Sequence, residues 1–159
     1  SMAEIEFKKS LRYKLDFSLV LIEAEGLMEV EEKYGHEARV ATMKWIAKTL
    51  KDTLRNIDVV GLGQRKGQFA LALPVTDQEG VLALIERLQK IFSNPEPSMP
   101  WTKSLHFYFG EASFHPSIHS IGDLIKLAEQ SLELQKIARW EKESETVRDS
   151  NELGTVSGN

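Results

Sequence analysis

The 159 residues, 42% of them hydrophobic, suffice for one domain that buries roughly 68–70% of its unfolded surface, with no need of a disulfide or structural metal. A formal charge of −4 excludes the basic excess that an extended nucleic acid requires, but leaves room for a small anion gripped by two or three local arginines. The absence of cysteine excludes disulfides, thiolate metal sites and a cysteine nucleophile, and accords with a reducing compartment. The longest apolar runs, such as Phe17–Ile22, are far shorter than a membrane span. No signal peptide is visible, and Ser1 ahead of Met2 reads as a cloning remnant.

Phe17-Ser18-Leu19-Val20-Leu21-Ile22 predicts a central strand buried on both faces. After Gly26 the spacing becomes helical, with a break at Tyr34-Gly35-His36, where glycine permits a turn. Val40, Met43, Ala47, Leu50 and Leu54 recur every three or four residues and predict a long amphipathic helix from about Glu37 to Arg55. Asp58–Gly63 and Gln68–Leu73, separated by a polar turn carrying Gly67, read as a β-hairpin. Val81, Leu84, Ile85, Leu88, Ile91 and Phe92 mark a third helix, followed by a loop over Ser93–Pro100 that holds three prolines. The alternation through Leu105, Phe107 and Phe109 predicts a strand over Ser104–Phe114. Leu124, Leu127, Ala128, Ser131, Leu134 and Ala138 line one side of a last helix, about Ile121–Arg139. Glu141–Asn159 is polar, nearly free of large apolar residues, and is expected to be a disordered tail or linker. The order β-α-α-β-β-α-β-α predicts an α+β sandwich with an antiparallel hairpin beside crossover-connected strands.

Chemistry-bearing residues outside one corner have plain readings. His115 and His119 are four apart, but Pro116 argues against a regular helix there and so against a metal pair. Glu23 and Glu25 share one side of a strand end and read as solvated carboxylates. Trp45 and Phe107-Tyr108-Phe109 read as packing surface, and Arg65 and Lys66 as a solvated hairpin tip. No metal and no cofactor is expected.

Ordered landmarks resemble the GGDEF family, the diguanylate cyclases of bacterial signalling. These are Phe17–Ile22 before an acidic residue, Tyr34-Gly35-His36, Arg55-Asn56-Ile57-Asp58 after the long helix, Phe69-Ala70-Leu71-Ala72-Leu73-Pro74, Phe109-Gly110-Glu111-Ala112, and Leu127-Ala128-Glu129 ahead of Lys136. The resemblance spans residues 7–140 and implies the palm-like fold of nucleotide cyclases, with a central antiparallel-containing sheet flanked by helices. It also implies a piece of a longer cytoplasmic protein, since the segment that usually leads into the domain is absent; a homodimer and attached signalling domains are compatible with it.

The departures are as ordered as the matches. In the family two metal ions are held by an aspartate after the first strand and an acidic residue in the signature turn; the corresponding residues are Glu23 and Gly67. Arg65 and Lys66 replace the two close-approach glycines, and the turn is one residue longer. Glu31 and Val40 stand at the guanine-reading positions, Met28 at a usual lysine, and Lys136 keeps a phosphate-contacting position but reads more simply as a solvated lysine. The resemblance therefore implies no catalytic residues. What it retains is the product site, an Arg-x-x-Asp before the turn and an arginine about twenty residues beyond it: Arg55, Asp58 and Arg87. An arginine fork suits phosphate or a guanine edge, and a carboxylate suits the guanine N–H groups. The expectation is an inactive domain that binds cyclic di-GMP. The alternatives are a ligand-free dimerisation or docking module and a GTP-binding regulatory domain.

Overall fold

The computed structural model describes residues 1–157, with side chains through 152. Helix α1 (Met2–Tyr13) precedes β1 (Phe17–Glu25), α2 (Leu27–Tyr34) and α3 (His36–Thr53). The hairpin β2 (Val59–Leu62) and β3 (Gln68–Pro74) leads to α4 (Gln78–Phe92), a 3₁₀ turn at Pro100–Ser104, β4 (His106–Ser113) and α5 (Ile121–Ser157). The sheet order is β2-β3-β1-β4, and every adjacent pair is antiparallel.

β1 is central because both of its faces are apolar. Val20, Ile22 and Ala24 join the core beneath α2, α3 and α4, while Phe17, Leu19 and Leu21 join the core beneath α1 and α5; this is the strict alternation a doubly covered strand requires. Gly110 sets how closely α5 approaches the sheet, since a Cβ there would collide with the Ala128 carbonyl oxygen and the Leu132 amide. Apart from the far end of α5, the predicted elements after β1 are present within a few residues of their expected bounds.

Two segments differ from expectation. α1 was not predicted, because a mainly polar helix shows little periodicity when it buries only Phe7 and Ser10. Phe7 meets the Phe17 ring edge-on at 5.6 Å and the Phe114 ring at 6.2 Å, so one aromatic anchors the helix. The segment from Glu141, expected to be disordered, continues α5 as helix through Ser157; residues 158–159 of that tail lie outside the described residues. Its side chains are exposed from Glu141 through Glu152. Glutamate, lysine and arginine favour helix without any buried face, and pairs such as Arg139 Nε to Glu143 Oε1 at 3.0 Å support it locally.

Candidate functional site

Arg55, Asp58 and Arg87 line one open cleft of about 750 Å³ at the corner where α3 ends, β3 ends and α4 passes. α3 stops at Leu54, whose backbone turns extended, and the chain then makes a short turn closed by Asp58 N–H donating to the Arg55 carbonyl at 3.0 Å. Asp58 accepts from the Arg55 backbone N–H at 2.9 Å, from Nε at 3.2 Å and from Nη2 at 2.8 Å. Arg55 Nη2 also donates to the Pro74 carbonyl at 2.8 Å and to Thr76 Oγ1 at 2.6 Å. The guanidinium is thus clamped in one orientation by two chain segments, with its remaining nitrogen, Nη1, carrying no partner among the described residues. Half of the Arg55 side chain is exposed but only 3% of that of Asp58, so the carboxylate orients Arg55 and has both oxygens engaged.

Arg87 comes to the same cleft from the middle of α4 and makes no ion pair among the described residues. Lys90, one turn further, lines the cleft too and sits 3.7 Å from Glu86. Asp16, Asp77 and Glu86 contribute negative charge to the rim, but Asp77 is committed to capping α4 through the Gly80 N–H at 2.9 Å. Sequence spacing carries no signal for Thr76, the Pro74 carbonyl or Lys90, because only folding brings them to the cleft of Arg55 and Arg87.

A second cluster forms at the hairpin turn, and here solvated readings give way to a built network. Glu23 is buried to 9% exposure, paired with Lys136 and reached by Arg65 at 4.0 Å. Arg65 also bonds Glu133 at 3.2 Å, and Lys136 lies 3.8 Å from that carboxylate. Lys136 is itself buried. Arg65 is therefore no free hairpin tip, and Glu23 and Lys136 are not solvated. Gly67 has φ +77°, and a Cβ there would lie 3.0 Å from the Ala24 carbonyl oxygen, which fixes this position as glycine. The turn is held by Gln68 N–H to the Arg65 carbonyl at 3.1 Å and Ala24 N–H to the Gly67 carbonyl at 2.9 Å.

The profile of the family described as "Diguanylate cyclase, GGDEF domain" matches residues 1–142. The chain belongs to the GGDEF family. Among solved structures, the active GGEEF domain of a diguanylate cyclase from Vibrio cholerae is 19% identical with a TM-score of 0.78, covering 86% of each chain. The GGDEF domain of DgcB from Caulobacter crescentus, solved in complex with c-di-GMP, is 13% identical with a TM-score of 0.75, covering 86% of this chain and 81% of that one. Diguanylate cyclase SiaD from Pseudomonas aeruginosa, solved with its activator SiaC, is 17% identical with a TM-score of 0.74, covering 86% of this chain and 52% of that one. No curated protein matches the sequence.

The GGDEF fold, an α+β palm with a four-stranded antiparallel sheet, is thus established for this chain. The residues at the expected GGDEF metal positions do not fit a divalent cation. Glu23 is neutralised by Lys136 and Arg65, and Gly67 brings no oxygen ligand other than a carbonyl already bonded to Ala24. At the guanine-reading positions Glu31 is held by Arg39 Nε at 2.8 Å and lies 3.5 Å from His36. Met28, at the usual lysine, is 72% exposed. No helix among the described residues is long and apolar enough to cross a membrane.

Proposed function

We propose that this GGDEF domain is a catalytically inactive receptor for cyclic di-GMP, acting as a regulatory module in bacterial second-messenger signalling in the cytoplasm. The observation that carries the reading is the contrast between its two arginine clusters. Arg65 is spent on Glu23 and Glu133, filling the charge of the nucleotide site from within. Arg55 is clamped with Nη1 free, and the unpaired Arg87 faces the same cleft.

The division of labour follows from the geometry. Arg55 and Arg87 grip phosphate or the guanine O6/N7 edge, Asp58 holds Arg55 in its binding orientation, and Lys90 adds positive charge at the rim. Phosphoryl transfer relies on positioning and on neutralising the charge that develops, and a site whose one carboxylate at a metal position, Glu23, is already paired with Lys136 and Arg65 supplies neither. DgcB, bound to c-di-GMP in its structure, supports this choice of ligand.

One calorimetric titration tests the proposal. Heat on adding cyclic di-GMP, with affinity weakened about tenfold or more in Arg87→Ala, together with no heat on adding GTP and magnesium, is the expected result. Saturable GTP binding, or no response to cyclic di-GMP by calorimetry or thermal shift, overturns it.

A further inference from the structure

β4 ends the sheet, and among the described residues no strand pairs with its outer edge. Alternate residues of an antiparallel strand turn their amide and carbonyl groups away from the partner. Phe114 N–H donates to the Phe17 carbonyl at 2.7 Å, continuing the register that sets Ser18 opposite Ser113, so even-numbered residues bond inward. Phe107, Phe109 and Glu111 therefore face out. Glu111 N–H agrees with this parity, donating to Ser131 Oγ of α5 at 3.1 Å. The edge is the floor of a groove of about 400 Å³, walled by Leu82, Ile85 and Glu86 of α4 and by Ser131 and Gln135 of α5.

We propose that this groove docks an extended segment of a partner protein, which adds to β4 as a fifth strand and presents alternate valine-like and lysine or arginine side chains to α4. An open edge between two helical walls offers main-chain hydrogen bonds for affinity and side-chain pockets for specificity. The charge of the groove selects the occupant: Glu86 and Glu111 line it and no cationic residue does. Glu86 is opposed only by Lys90 at 3.7 Å in an exposed pair, which an incoming cation can replace at little cost. The apolar part of the preference comes from α4, where Leu82 is 51% exposed. Phe107 and Phe109 belong to the core on the α4 side, so an added strand turns every second side chain toward Leu82, Ile85 and the two carboxylates. Its intervening residues meet Ser131 and Gln135 and are small and polar.

The probe is a capped heptapeptide with threonine at odd positions and valine, lysine and valine at even ones, titrated into the isotope-labelled full chain and followed by NMR. The amides of Phe107, Phe109 and Glu111 are expected to shift, and hydrogen exchange at Phe107 and Phe109 to slow by about tenfold or more as they enter a ladder. Glu86→Lys combined with Glu111→Lys should weaken this peptide about tenfold while admitting the version with glutamate in place of lysine. The proposal fails if millimolar peptide leaves β4 unperturbed, if backbone N-methylation of the valines and lysine changes nothing, or if the charge reversal has no effect. A β4-dependent dimer in sedimentation velocity would put a second copy in the groove and overturn it as well. The edge-amide and N-methylation outcomes do not involve the ligand cleft, and because Glu86 also lines the rim of that cleft, Glu111→Lys alone repeats the charge test away from it.

Discussion

In the proposed receptor Arg55 serves two ends at once, and substitutions separate them. It ties the end of α3 to Asp58, Pro74 and Thr76, while Arg87 makes no such bond among the described residues. Arg87→Ala should weaken cyclic di-GMP by about tenfold or more, the loss of one charge-assisted contact of roughly 1.5–3 kcal/mol, with no change in melting temperature. Arg55→Ala should weaken binding by about ten- to a hundredfold and also lower the melting temperature, because Asp58 is left with its carboxylate buried and unpaired. Calorimetry beside differential scanning fluorimetry reads both effects; a neutral Arg55→Ala in either measurement contradicts this assignment. At the other cluster, Glu23→Gln leaves the Lys136 ammonium buried without its closest partner and should cost about 3 kcal/mol in urea unfolding. Adding Lys136→Met removes the stranded charge and should recover most of that loss, an outcome a solvated pair would not give.

At the scale of elements, the hairpin turn and α5 behave oppositely. The turn between β2 and β3 is over-determined by its internal hydrogen bond, its hydrogen bond to Ala24 of β1 and the left-handed conformation of Gly67. Gly67→Glu, the simplest attempt to restore a metal ligand, therefore forces a side chain into a left-handed conformation against the Ala24 carbonyl. It should destabilise by about 1–2 kcal/mol without creating cyclase activity, as thermal unfolding and a product assay would show. α5, by contrast, has a proximal half locked by Leu124, Ala128 and Leu132, all fully buried, and a distal half whose side chains are exposed through Glu152. Truncation after Trp140 should shift the melting temperature by no more than about 2 °C, since few buried contacts are lost. A larger fall would mean that the distal helix packs on the domain.

For the whole molecule, the two arginine sites predict how it responds to its surroundings. Incubation with GTP and magnesium should yield no cyclic di-GMP above a protein-free control, and chelators should leave the melting temperature unchanged, because lysine and arginine already supply the charge beside Glu23. Affinity for cyclic di-GMP should fall as salt rises, since two phosphates meet the exposed cations of the cleft across a distance that salt screens. Affinity independent of ionic strength would contradict phosphate recognition by Arg55 and Arg87.

Local pattern determined most of the fold. The double-faced run Phe17–Ile22 forces a central strand, the three-to-four spacing of Val40 through Leu54 forces a helix, and Gly67 forces the turn, because each depends only on neighbours a few positions away. As site positions, Gly67, Arg55, Asp58 and Arg87 stand out only through the resemblance to the GGDEF family, which local pattern does not supply. Tertiary structure alone decided where the long charged side chains go. Glu23, Arg65, Glu133 and Lys136 each look solvated in isolation, and only the packing of α5 across the sheet brings β1, the turn and α5 together, burying Glu23 and Lys136 so that their charges must pair. It likewise decided that one phenylalanine anchors α1 and that β4 is left as an open edge. These depend on which surfaces meet after the chain has closed, and hydrophobic periodicity carries no record of that.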